Sequence, residues 1–427
     1  MFQSAILKQP RRRCNVGFVI DRDLTPRLLE AAKRFPAVTL MGPRQSGKST
    51  LCRAAFPTHP YVNLEAPDIR SFAVSDPRAF LAQFQAGAVL DEVQRCPLLP
   101  SYLQERIDAD SATGRWILTG SQNLSLLSSV SQSLAGRTAV LTLLPLGRGE
   151  VLRFRTHPRT LDETLFAGSY PRIFDKRLPP NEWLGSYVAT YLERDVRTLM
   201  NVGDLTSFQR FLALCAGRTA QLLNLSSLAS DCGISQPTAK AWISVLEASF
   251  IAFRLPFYSR SIKKRLIKMP KLHFHDTGLV CWLLGIHAVE QLKAHPLRGA
   301  IFETWVVSEV LKHRLNMGIP AGVSYYRDQH GLEADLIVED ARAPAVIEAK
   351  AGQTVSEDMF RAAIRVGAAL KRAGKPRPFL VYGGDSRQAR KDVTILPWHR
   401  LHEEPWGPKT RKGASTARTT RPVVRRQ

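Results

Sequence analysis

At 427 residues, with 44% hydrophobic and 23% charged residues, the chain has the composition of a globular protein of two to four domains, which excludes a fibrous or wholly disordered molecule. No run approaches the ~18–20 apolar residues of a membrane span, and the charges at Lys8 and Arg11-Arg12-Arg13 lead into no apolar signal core, so the expectation is a cytoplasmic protein with no membrane partner. A formal charge of +23, from 60 Lys and Arg against 37 Asp and Glu, favours a polyanionic partner, nucleic acid and in particular DNA.

Residues 1–20 read as a poorly ordered leader, and the first helix is expected from Pro26 to Phe35. The apolar run Ala37-Val38-Thr39-Leu40-Met41 then reads as a strand leading into Gly42-Pro43-Arg44-Gln45-Ser46-Gly47-Lys48-Ser49, followed by a helix from Thr50. This segment fits G-x-x-x-x-G-K-S/T in full. Strand, glycine loop and helix together make a phosphate cradle, because backbone N–H groups and the helix N-terminus point at an anion. Lys48 supplies the positive charge and Ser49 a hydroxyl for Mg²⁺.

A second apolar strand, Ala86 to Leu90, ends in Asp91-Glu92 about forty residues after the glycine loop. A carboxylate at a strand C-terminus suits a hydrated magnesium, which assigns Asp91 to the metal and Glu92 to the attacking water. The third strand, Arg115 to Asn123, turns polar at its end. Thr119, Ser121 or Asn123 there is either a γ-phosphate or water contact, as ligands gather at strand C-termini, or simple turn chemistry. Further strands are expected near Tyr61 and Val140, and alternation with helices implies a parallel sheet covered on both faces, an α/β domain over residues 21–150. Arg137, after Ser133-Leu134-Ala135-Gly136, is a candidate for the γ-phosphate of its own or a neighbouring subunit, or else a helix cap.

Residues 151–290 read as helical. Trp183 to Leu199 has the spacing of one packed helix with charges at Glu193-Arg194-Asp195. From Phe208 a helix, a second helix at Leu225–Cys232, a turn at Gly233, a Ser-capped helix from Gln236 and an extended Ile251–Tyr258 follow the order of a winged helix-turn-helix. Gln236, Thr238, Lys240 and Lys263-Lys264-Arg265 would face phosphates or base edges, although such modules also serve to pack proteins together. The six cysteines form no C-x-x-C pair and read as free thiols.

Residues 291–400 contain two adjacent strands, Glu333–Glu339 and Ala345–Lys350. Alternation places Glu348 and Lys350 on one face, and Asp335 lies thirteen residues before Glu348. Two carboxylates for Mg²⁺ and one lysine for a nucleophilic water are the needs of a metal-dependent nuclease, with Glu303 as a third acid. Residues 401–427 end in Lys409, Arg411, Lys412, Arg418, Arg421, Arg425 and Arg426 with no acid after Lys409, and read as a basic disordered tail.

As an ordered set these motifs resemble prokaryotic AAA-type ATPases of the archaeal-ATPase-like branch, fused to a C-terminal domain of unknown function. The likeness is carried by Gly42 to Thr50, Leu90-Asp91-Glu92-Val93-Gln94-Arg95, Leu118-Thr119-Gly120-Ser121, Ser133 to Arg137, Tyr191 to Asp195 and the Glu303, Asp335, Glu348 and Lys350 set. It implies ATP as cofactor, a winged-helix middle segment and a C-terminal part similar to PD-(D/E)XK nucleases. Ser49-Thr50 stands where the family commonly has Thr-Thr, which keeps the hydroxyl. The expected molecule is an ATPase using ATP and Mg²⁺, coupled to DNA and compatible with a homo-oligomer. Its rivals are an ATP-regulated nuclease and a nucleotide-switched protein-interaction module.

Overall fold

The computed structural model describes residues 19–121, 133–192, 205–259, 261, 268–340, 343–370 and 375–407. Most of the leader, Asn123, the Glu193-Arg194-Asp195 patch, Lys263-Lys264-Arg265 and the basic tail from 408 lie outside them.

Five parallel strands form the first sheet: β1 (Ala37–Met41), β2 (Tyr61–Asn63), β3 (Ala88–Asp91), β4 (Trp116–Gly120) and β5 (Thr138–Thr142), in the order β2-β3-β4-β1-β5. β4 therefore lies between the strand that enters the glycine loop and the strand that ends in Asp91. Near-continuous apolar strands such as Ala37–Met41 are fully buried, as required of a parallel sheet covered on both faces. One face packs on helix Thr25–Ala32 and the glycine-loop helix Lys48–Ala55 through Leu24, Leu28, Leu51 and Cys52. The other face opens into a single apolar core that continues through the middle of the chain to the C-terminal sheet.

The middle region is helical. Its aromatic helix Pro180–Tyr187 passes into a single wider turn at Val188–Leu192, so the described part of the expected Trp183–Leu199 helix is not one regular α-helix. Helices Leu205–Gly217, Leu225–Cys232 and Gln236–Ala248 follow. Asn224 and Ser235 cap the last two by accepting from backbone N–H groups, and Gly233 takes the left-handed turn between them.

A three-stranded antiparallel sheet, β6-β8-β7, closes this region, with β6 Gln221–Leu222, β7 Ala252–Leu255 and β8 Lys271–Phe274. The segment Ile251–Tyr258 is shared between two sheets. Its first half is β7, and its end leaves for the C-terminal sheet, where Tyr258 N–H donates to the Tyr325 carbonyl (2.7 Å) and Tyr325 N–H to the Pro256 carbonyl (3.0 Å).

The C-terminal sheet comprises β9 (Val323–Arg327), β10 (Glu333–Val338), β11 (Ala345–Lys350), β12 (Arg377–Tyr382), β13 (Gln388–Ala389) and β14 (Thr394–Pro397), in the order β13-β14-β12-β11-β10-β9. It is mixed: β11, β12 and β14 run parallel and the rest antiparallel. The long helix Arg298–Asn316 packs on it from the main-core side, and helix Asp358–Ala369 covers other apolar residues of the strands. The described cysteines, Cys52, Cys96, Cys215, Cys232 and Cys281, are buried free thiols. Among the described residues no helix is long and apolar enough to cross a membrane.

Candidate functional site: the glycine loop and its carboxylates

The glycine loop is shaped by close backbone approach. A Cβ on Gly42, whose φ is +154°, would lie 2.1 Å from the Leu143 carbonyl oxygen, and Gly47 at φ +95° turns the chain into the helix. Because Gly47 is the residue before the helix and brings no side chain, none competes there for the helix's first N–H groups. Lys48 is buried, and its Nζ donates to the carbonyls of Gly42 (2.9 Å) and Pro43 (2.8 Å), which fixes the ammonium at the loop. Burial lowers its pKa, with Glu92 and Asp91 acting in the opposite sense.

Asp91 ends β3 and is buried. Its Oδ2 accepts from Ser49 Oγ at 2.7 Å and from the Tyr61 hydroxyl, and its Oδ1 accepts from Thr119 Oγ1. Parallel register brings these together, since β2 pairs Asn63 with Asp91 and β4 pairs Leu118 with Leu90. Hard oxygens from one hydroxyl and one carboxylate at this spacing fit Mg²⁺. Glu92 adopts a left-handed backbone at φ +60°, a strained conformation for a non-glycine residue, and its Oε2 accepts from Ser121 Oγ at 3.0 Å and from the Gln94 amide. Gln94 Nε2 also donates to Ser121 Oγ (3.2 Å).

Arg137 does not reach this site within its own chain. It precedes Thr138, which is paired with Ala37, whereas the glycine loop follows Met41, which is paired with Thr142. The two ends of such a five-residue strand are ~13 Å apart at ~3.3 Å per residue. Its guanidinium makes two contacts with Asp108, at 2.5 and 2.9 Å, and donates to the Ala135 carbonyl, so the helix-end role is the one the geometry supports. Arg44, within the glycine loop, and Arg95, just after β3, both pair with Glu65.

Several residues of the site escaped sequence reasoning. Tyr61 lies on a short strand with no motif. Gln94 follows the carboxylate pair without a recognised role. Arg22, before the first helix, is buried beneath the loop: its Nη1 donates to the Ser46 carbonyl (2.6 Å), its Nη2 to the Leu144 carbonyl (2.9 Å) and its Nε to Glu150 (2.9 Å). Burial works to raise the Glu150 carboxyl, but Arg22 and the Asp23 and Gly147 N–H groups outweigh it and hold the pKa low.

The acidic set of the C-terminal sheet is also brought together. Lys350 Nζ donates to Glu348 Oε1 (2.7 Å), and Asp335, in a β-bulge, accepts from the Ala349 N–H (2.9 Å). Sequence reasoning missed its main occupant, Lys271 of β8. The Lys271 ammonium lies 2.9 Å from Glu303, 2.6 Å from Glu333 and 3.8 Å from Asp335. Burial opposes its charge, but Glu303, Asp335 and Glu333 together outweigh burial and hold it above the ordinary lysine range. Burial, then Asp335, push Glu303 well up and Glu348 up to about 8. Among the described residues no group of three or more His, Cys, Asp and Glu is disposed to hold a metal ion.

Residues 34–152 match the model of an AAA domain, and with the parallel sheet and the glycine loop already described this decides the assignment. The N-terminal region is an AAA-type P-loop ATPase domain. It is fused to segments that match two domains of unknown function, DUF8612 over residues 158–290 and DUF4143 over residues 298–401. Uncharacterized protein Rv2008c of Mycobacterium tuberculosis and Uncharacterized protein Mb2031c of Mycobacterium bovis are each 28% identical to this chain over 392 residues, covering 91% of it and 86% of the relative. Among solved structures, the Walker-type ATPase PABY2304 of Pyrococcus abyssi is similar over 62% of this chain and 96% of its own, at 15% identity and a TM-score of 0.43.

Proposed function

We propose that this AAA-type chain hydrolyses ATP with Mg²⁺ and couples the cycle to DNA held by its middle and C-terminal parts. The observation that carries the hydrolytic reading is the Ser49–Asp91 contact of 2.7 Å beside the Glu92–Ser121–Gln94 group. The N–H groups of Gln45 to Ser49 and the Lys48 ammonium bind the β- and γ-phosphates. Ser49 and Asp91 would hold the metal, which supplies neutralisation of phosphate charge. Glu92 accepts the proton of the attacking water as that water bonds to the γ-phosphorus and the bond to the β–γ bridging oxygen breaks, yielding ADP and phosphate. Ser121 and Gln94 orient the Glu92 carboxylate, and Arg22 holds the loop through Ser46.

Two observations support DNA as the partner. The chain carries a net charge of +23, and the Ser235-capped helix leaves Gln236 and Lys240 exposed at its start while its length is packed inside by Trp242 and Leu246. The deciding experiment is ATP turnover of the full chain with and without double- and single-stranded DNA, alongside Lys48→Ala. The expected result is turnover stimulated by DNA and lost in the variant. Full turnover in Lys48→Ala would remove the hydrolytic reading, and no DNA binding at low salt would leave a nucleotide-switched protein-binding module.

A further inference from the structure

We propose that Lys271 is the built-in cation of the acidic cluster in the C-terminal sheet, replacing a metal ion and turning a nuclease-like pocket into a charged joint between the three-stranded sheet and the C-terminal sheet. The proposal stands independently of ATP hydrolysis at the P-loop.

Placement of the ammonium follows from how β8 lies against the long helix Arg298–Asn316. His273 Nδ1 is 3.1 Å from Thr304 Oγ1, Thr304 in turn is 2.7 Å from Thr219 Oγ1, and Ser308 Oγ donates to the His275 carbonyl (2.9 Å). Lys271 and His273 alternate along β8, so the two share one face. On the other side of Lys271 the chain is held again, where the Tyr325 hydroxyl donates to the Met269 carbonyl and Pro256–Tyr258 joins β9. Lys271 is 4% exposed. Its position is thus set by contacts before and after it.

The ammonium takes up Glu303, the third acid of the nuclease-like set, together with Glu333, and lies beside Asp335. Glu303 Oε1 is 2.9 Å and Glu333 Oε1 2.6 Å from Nζ, with Asp335 Oδ1 next at 3.8 Å. Mg²⁺ demands oxygens at about 2.1 Å in near-octahedral array. A dication coordinated by these oxygens would lie within a few ångströms of a buried ammonium, at a cost of several kcal/mol. Glu348 and Lys350 are paired with each other at 2.7 Å, which leaves the buried Glu348 Oε2 as the one oxygen of that carboxyl without a partner. Removing Lys271 while keeping the carboxylates should therefore create a divalent-cation site where the native chain has none.

The test is Mn²⁺ binding to the full chain without nucleotide, followed by electron paramagnetic resonance, for the native protein, Lys271→Met and Lys271→Met with Asp335→Asn. The expected result is no Mn²⁺ held by the native cluster, one Mn²⁺ per chain gained in Lys271→Met, and that gain lost when Asp335→Asn is added. If Lys271→Met does not fold, Lys271→Gln, which likewise removes the ammonium and keeps every carboxylate, is read the same way. A native site abolished by Asp335→Asn or Glu348→Gln overturns the proposal. A folded variant that gains no Mn²⁺ overturns it equally.

Discussion

Both acidic centres of this molecule sit at strands of buried sheets, yet their carboxylates are satisfied in opposite ways. At the P-loop, Asp91 is met by the hydroxyls of Ser49, Tyr61 and Thr119, while the nearby Lys48 ammonium is spent on the Gly42 and Pro43 carbonyls. In the C-terminal sheet, a lysine goes directly onto Glu303 and Glu333. Hydroxyl partners leave a carboxylate its charge and can yield to a cation, whereas an ammonium partner cancels that charge. The residue types are alike, and the neighbours differ: hydroxyls at one centre, an ammonium at the other.

The largest expected effect concerns the first centre. Glu92→Gln should lower ATP turnover by ~10²–10⁴-fold, the range for losing a general base, with ATP affinity kept in an equilibrium binding assay. Equal turnover would move the proton acceptor elsewhere. Next comes the support beneath the loop. Glu150→Ala leaves Arg22 buried without its partner, and a loss of about 3–5 kcal/mol is expected in chemical unfolding; a neutral result would show that Arg22 finds its partners in the Ser46 and Leu144 carbonyls alone.

The second centre predicts a pH dependence. Glu348 has its folded pKa raised from 4.5 to about 8, so the folded state holds a proton that the unfolded state has lost between those values. Stability from this group is therefore full below pH 4.5 and falls as pH rises toward 8. Glu348→Gln should flatten that fall in unfolding curves measured across the window, and an unchanged slope would remove Glu348 from the joint. Smallest of all, Arg137→Ala should leave ATP turnover of the isolated chain unchanged, because its guanidinium lies at the far end of β5 on Asp108. Lost turnover there would contradict this placement of Arg137.

What the sequence disclosed divides along the same line. The parallel α/β sheet and its P-loop were legible because each signal is local: an apolar strand, a glycine loop and a helix in sequence, then Asp91-Glu92 at the end of another apolar run. Tyr61 and Arg22 were not, since one reaches Asp91 only through strand pairing and the other reaches Ser46 from before the first helix. For Arg137 the sequence left a γ-phosphate contact and a helix cap side by side, because position in sequence does not say which end of a strand a residue occupies. Lys271 was hidden most deeply. Its partners lie 32 or more residues away on a helix and another sheet, and no spacing rule links them.

The contrast between the two centres is tested most directly by counting Mn²⁺ bound per native chain with and without a non-hydrolysable ATP analogue. One ion with the analogue and none without it is the result predicted here, from Ser49 and Asp91 at one centre and Lys271 at the other. A tightly held ion without nucleotide, removed by Asp335→Asn, would contradict it.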